Sequence, residues 1–151
     1  MQLSEPYQVE RLFLLIGENP LPNWVATVTL LRNDGTPYLI HTAHTQKQAG
    51  YLANFLNQEV FKIKSAQTIC LGNRHSNAFQ IRQCIQELAE SLPGRFGLNY
   101  TGGTKAMAVH AYRALQAIQP DAVFSYLDPH RLAMCIDNDQ GDCQYIPIRF
   151  S

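Results

Sequence analysis

The 151-residue sequence lacks an excess of either charge, a long apolar run and any close cysteine pair. Each absence removes a class of function. Twelve Lys and Arg residues balance twelve Asp and Glu, so the net charge at pH 7 is zero. A neutral chain has no general attraction to nucleic acid or to an anionic membrane; any polyanion must be held by a local site. No apolar stretch approaches the ~18 residues that a spanning helix needs. The first ten residues carry Glu5 and Glu10 without an apolar core, so no secretory signal is expected. Cys70, Cys84, Cys135 and Cys143 are scattered, which predicts free thiols in a reducing cytoplasm rather than disulfides or zinc. His41-x-x-His44 straddles a strand end without a third ligand nearby, so no metal and no cofactor is expected. A Walker A loop, a Gly-x-Gly-x-x-Gly turn and a Gly-x-Ser-x-Gly nucleophile elbow are missing too.

What is present is an alternation of strands and helices in a length suited to one domain, residues 1–151. Leu12–Ile16 is a continuous apolar run, the mark of a strand covered on both faces. Gly17-Glu-Asn-Pro-Leu-Pro22 breaks it, and Pro20 or Pro22 suits the first turn of a helix running to about Arg32, with Leu21, Val25 and Val28 inward. Asn33-Asp34-Gly35 reads as a turn and Tyr38–His41 as a second strand. Thr45-x-x-Gln48 has capping-box spacing and opens a helix with Ala49, Leu52, Phe55 and Leu56 as its core stripe. Gln67–Leu71 predicts a third strand, Gly72–Ser76 a polar loop, and a third helix burying Phe79, Ile81, Ile85 and Leu88 stops at Pro93. A fourth strand (Phe96, Leu98, Tyr100) turns on Thr101-Gly102-Gly103 into a helix starting near Thr104. Met107, Ala111, Ala114, Leu115 and Ile118 form its buried face. Three strand-like runs follow, Ala122–Leu127, Leu132–Ile136 and Gln144–Phe150, and Pro147 puts the last at an edge. The pattern predicts a Rossmann-like α/β fold. It is a three-layer, mostly parallel sheet with a C-terminal antiparallel hairpin, its core at about 11–136 and its edge strand at 144–150.

In such sheets ligands bind beyond the carboxyl ends of the strands. The glycine turn at 101–103 is the most suggestive of these ends. Adjacent glycines let backbone N–H groups approach an anion, the helix N-terminus favours negative charge, Lys105 adds a cation and Thr101 and Thr104 add hydroxyls. That combination reads as a phosphate site. The plain alternative is a βα turn in which the glycines serve only chain geometry. Asn19, Thr42 and Arg74 stand at the other strand ends, where each equally suits a cap, a backbone donor or a solvated loop. Trp24 suits adenine stacking or, more simply, packing.

Gly17-Glu-Asn-Pro-Leu-Pro22, His41-Thr42 and Asn99-Tyr-Thr-Gly-Gly-Thr-Lys-Ala-Met107, with Phe124-Ser-Tyr-Leu-Asp128 downstream, resemble the CARF (CRISPR-associated Rossmann fold) domain. The resemblance spans about residues 11–136 and is closest to the branch fused to a nuclease. It implies a homodimeric sensor of cyclic oligoadenylate, the second messenger of type III CRISPR antiviral defence, with cyclic tetra-adenylate the commonest ligand and cyclic hexa-adenylate an alternative. Carried over, Thr101, Gly102, Gly103, Thr104 and Lys105 hold phosphates and riboses. Gly17, Asn19 and Pro20 shape the first loop against an adenosine, with Thr42 or His44 nearby.

Family members usually carry an effector domain after the sensor, so the chain is expected to be an excised sensor or a stand-alone ring nuclease. Ring cleavage would need no metal: a ribose 2′-hydroxyl attacks the adjacent phosphate, with Lys105 and Thr101 stabilising charge and His44 moving a proton. A third reading is a generic Rossmann-like nucleotide-binding or assembly protein. Sensing is favoured.

Overall fold

The apolar run near the start of the chain becomes the middle of a sheet because it is covered from both sides. The computed structural model describes residues 4–58, 61–72, 78–137 and 143–148. A 3-10 turn at Glu5–Tyr7 leads into β1 (Val9–Leu15), α1 (Leu21–Leu30), β2 (Leu31–His41), a second 3-10 turn at Ala43–Thr45, α2 (Gln46–Leu56) and β3 (Gln67–Cys70). Then come α3 (Ala78–Ser91), β4 (Phe96–Asn99), α4 (Lys105–Ile118), β5 (Val123–Asp128), β6 (Ala133–Ile136) and β7 (Gln144–Pro147). Among the described residues the seven strands form one sheet, ordered β3-β2-β1-β4-β5-β6-β7. β1 to β5 are parallel, with Phe13 opposite both Tyr38 and Leu98, while β6 and β7 add antiparallel.

Two apolar layers sandwich the sheet. Leu12, Leu14 and Ile16 pack under α1 and α2 with Val25, Leu30, Leu52 and Leu56. Phe13 and Leu15 point the other way, under α3 and α4 with Ile81, Ile85, Met107 and Leu115. Alternate residues of one run thus serve opposite faces, which is why β1 shows no polar alternation. Pro147 lies in β7, at the sheet edge, as its missing N–H requires.

Local expectations differ in three places. α1 ends at Leu30, and β2 starts at once with Leu31 beside Val9. Asn33-Asp34-Gly35 is therefore no turn between elements but an excursion within β2, where the register jumps from Val9–Leu31 to Arg11–Thr36 and Asp34 takes φ 65°. The ladder to β1 outweighs the local turn signal. Leu21, Val28, Phe55 and Phe79 are exposed rather than inward, because each helix meets the sheet along a narrower stripe than its apolar residues cover. The capping box pairs Thr42 with Thr45, not Thr45 with Gln48. Arg74, with residues 73–76 of the expected polar loop, and residues 149–150 of the last strand-like run lie outside the described residues.

Candidate functional site

β1 and β4 are parallel neighbours whose following helices leave on opposite faces of the sheet, which opens a crevice at their carboxyl ends. Here Gly17, after β1, rests directly on Gly102 and Gly103, after β4. A side chain on Gly17 would stand 3.3 Å from the Gly103 nitrogen, and one on Gly102 would collide with the Leu15 carbonyl and come within 2.8 Å of the Gly17 nitrogen. Gly103 has φ +78°, which glycine alone takes without strain. The glycines thus have a packing role that a simple βα turn would not demand: two loops touch backbone to backbone.

Buried amides hold this contact from below. Asn23, fully buried in α1, donates from Nδ2 to the Leu15 carbonyl at 2.9 Å, and its Oδ1 has no hydrogen-bond partner among the described residues. Asn99, also fully buried, accepts from the Thr101 N–H at 3.3 Å and donates to Ser125 Oγ at 3.0 Å. Thr101 Oγ1 accepts from the Leu127 N–H (2.8 Å), and Thr104 Oγ1 caps α4 by accepting from the Met107 N–H (3.1 Å). Both hydroxyls are acceptors in these bonds, so each keeps its proton to donate. Lys105 is exposed in the first turn of α4.

The other side of the crevice is built differently. Asn19 Oδ1 accepts from the Leu21 N–H at 3.1 Å, and Pro20 caps α1. Thr42 is buried and its hydroxyl faces Thr45 Oγ1 at 3.4 Å, which gives it a capping role. His44 is exposed, and its Nε2 lies 3.4 Å from Glu18 Oε1, joining the β1 and β2 loops. The buried His41 Nδ1 lies 2.8 Å from the Thr42 carbonyl. Among the described residues, no group of three or more His, Cys, Asp and Glu side chains is placed to hold a metal ion, and no helix is long and apolar enough to cross a membrane. Beside the crevice, Pro20, Leu21, Trp24, Tyr51 and Phe55 line an apolar cleft of about 510 Å³, in which the Trp24 ring meets Phe55 edge-on.

Sequence reasoning missed two features. One is Glu18. The other is a clasp behind the glycine turn: the Tyr100 and Tyr112 hydroxyls donate to the two carboxylate oxygens of Asp137, at 2.8 and 2.6 Å. Burial, and then the bond to Asp137, hold the Tyr100 phenol far above its usual range. Asp137 lies 37 and 25 positions from the two tyrosines, so no local pattern announces the clasp.

No protein-family model matches the chain, and no curated protein is similar to it in sequence. Solved structures share its fold. Can2 from Sulfobacillus thermosulfidooxidans, in complex with cyclic tetra-adenylate, superposes with a TM-score of 0.71 at 18% identity over 92% of this chain and 38% of that one. Protein VC1899 from Vibrio cholerae gives 0.70 at 18% identity, over 93% of this chain and 36% of that one. The chain thus spans little more than a third of either protein, and its likeness to them is one of fold.

Proposed function

We propose that this chain is a CARF-type sensor of cyclic oligoadenylate, most simply cyclic tetra-adenylate, in type III CRISPR signalling, and that it works as a homodimer. The observation that carries the reading is the backbone contact of Gly17 with Gly102 and Gly103 at the mouth of α4, with Lys105 beside it. Its physics suits a cyclic polyphosphate. Backbone N–H groups, the Thr101 and Thr104 protons and a helix N-terminus favour negative charge without a basic surface. Two copies related by a two-fold axis would give the ring two such cradles and two lysines. Can2, a structural neighbour, binds cyclic tetra-adenylate, which makes this the ring to try first.

A second reading, metal-independent cleavage of the same ring, draws on exposed His44 as a proton carrier at the rim. One experiment separates the two: incubation with cyclic tetra-adenylate, followed by native mass spectrometry and chromatography of the nucleotide. A sensor retains one intact ring per dimer for hours. A ring nuclease releases linear fragments with a cyclic phosphate end. Binding of neither tetra- nor hexa-adenylate rings rejects both readings and leaves a generic nucleotide-binding or assembly protein.

A further inference from the structure

Glu18 has the wrong sign for a phosphate site, yet it occupies the loop that builds one. It directly follows Gly17, whose backbone rests on the glycine turn, so its carboxylate is carried at the rim of the cradle. Its side chain is 82% exposed, and its contact with His44, at 3.4 Å, is longer than a strong charge-assisted bond. Such an exposed pair contributes little and is easily exchanged for another partner. A carboxylate only accepts hydrogen bonds and repels phosphate, so the part of a nucleotide that suits it is an N–H group. Asn19, the next residue, has its Oδ1 occupied by the Leu21 N–H and offers its amide protons. An acceptor next to a donor matches the N7 edge of adenine, where the exocyclic amine lies beside the N7 acceptor. On that edge a 6-oxo purine presents two acceptors, O6 and N7, so the carboxylate would face an acceptor.

We propose that Glu18 and Asn19 select the base, with Glu18 exchanging His44 for the exocyclic amine of adenine. This rests on the cyclic oligoadenylate reading of the same site. The test is calorimetry with cyclic tetra-adenylate and cyclic tetra-inosinate, which share ring and phosphates and differ in the 6-amine. The protein as it stands should prefer the adenylate ring about tenfold or more, the discrimination of one good base contact. Glu18→Gln, whose amide can face either base, should bring the two affinities to within about twofold while thermal unfolding stays unchanged. A preference that survives Glu18→Gln, or equal binding of both rings by the unaltered protein, overturns the assignment alone. Binding of neither ring by the unaltered protein overturns the ligand reading, and the base assignment with it.

Discussion

The two sides of the crevice are made of different material. On the β1–β4 side the surface is backbone, fixed by Gly17 against Gly102 and tied down by the fully buried Asn23 and Asn99. On the other side, where the loops after β1 and β2 meet, it is made of exposed side chains, Glu18 and His44, held by one long contact. Packed backbone has nowhere to move, so it suits groups common to every nucleotide, such as phosphates. Exposed side chains move at little cost and suit what distinguishes one nucleotide from another. The contrast predicts that changes to the packed backbone of the first side and its buried supports damage fold and binding together, whereas changes to Glu18 and His44 alter preference alone.

The sharpest way to break that contrast is Gly102→Ala. The added methyl runs into the Leu15 carbonyl and the Gly17 nitrogen, and both are backbone atoms that cannot swing aside. Overpacking of this kind costs about 2–3 kcal/mol, so the midpoint of denaturant unfolding should fall and ring binding should be lost. A variant with unaltered stability would mean that the two loops are not in firm contact.

Lys105→Ala comes next and separates charge from architecture. The side chain is exposed in the first turn of α4, so stability should hardly change. Affinity for cyclic tetra-adenylate should fall by about 1.5–3 kcal/mol, the range for a hydrogen bond to a charged group. Unchanged affinity in calorimetry removes Lys105 from the site.

Asn23→Ala tests the support beneath the loops. It removes the donor to the Leu15 carbonyl but also an Oδ1 without a hydrogen-bond partner among the described residues, so the two effects partly offset. A stability loss of about 1–2 kcal/mol is expected, since a buried carbonyl loses its side-chain donor. Ring affinity should weaken with it, because the strand end that positions Gly17 is loosened. Full stability with full affinity would show that the glycine contact needs no support from α1.

How much of this was legible in the sequence depends on whether a feature is local. The glycine turn, its helix and the mostly parallel character of the sheet could be read because each rests on runs of adjacent residues: the apolar strand, the paired glycines, the helical spacing from Met107 to Leu115. The α1–β2 boundary could not, since Leu31 leaves the helix only through its pairing beside Val9, more than twenty positions away. Periodicity placed Phe55 and Phe79 on apolar faces but cannot tell a face that meets the sheet from one that meets solvent. The site divides in the same way. Gly17 and Gly102 were identified from their motifs, and their mutual contact is tertiary. Glu18 carries no pattern at all; its meaning appears only when the β2 loop brings His44 beside it.

The smallest expected effect lies on that side. His44 and Glu18 are both largely exposed, with 78% and 82% of their side chains open to solvent, so the pair should contribute well under about 1 kcal/mol to folding. His44→Ala should therefore leave unfolding unchanged at low and at high salt. It also removes the group that competes for the Glu18 carboxylate. If Glu18 meets the base, affinity for the adenylate ring should hold or rise slightly, whereas a proton-transfer role would leave affinity intact and abolish ring cleavage. A large loss of stability would show instead that the pair holds the two loops together, and the contrast between a fixed side and a mobile side of the crevice would be gone.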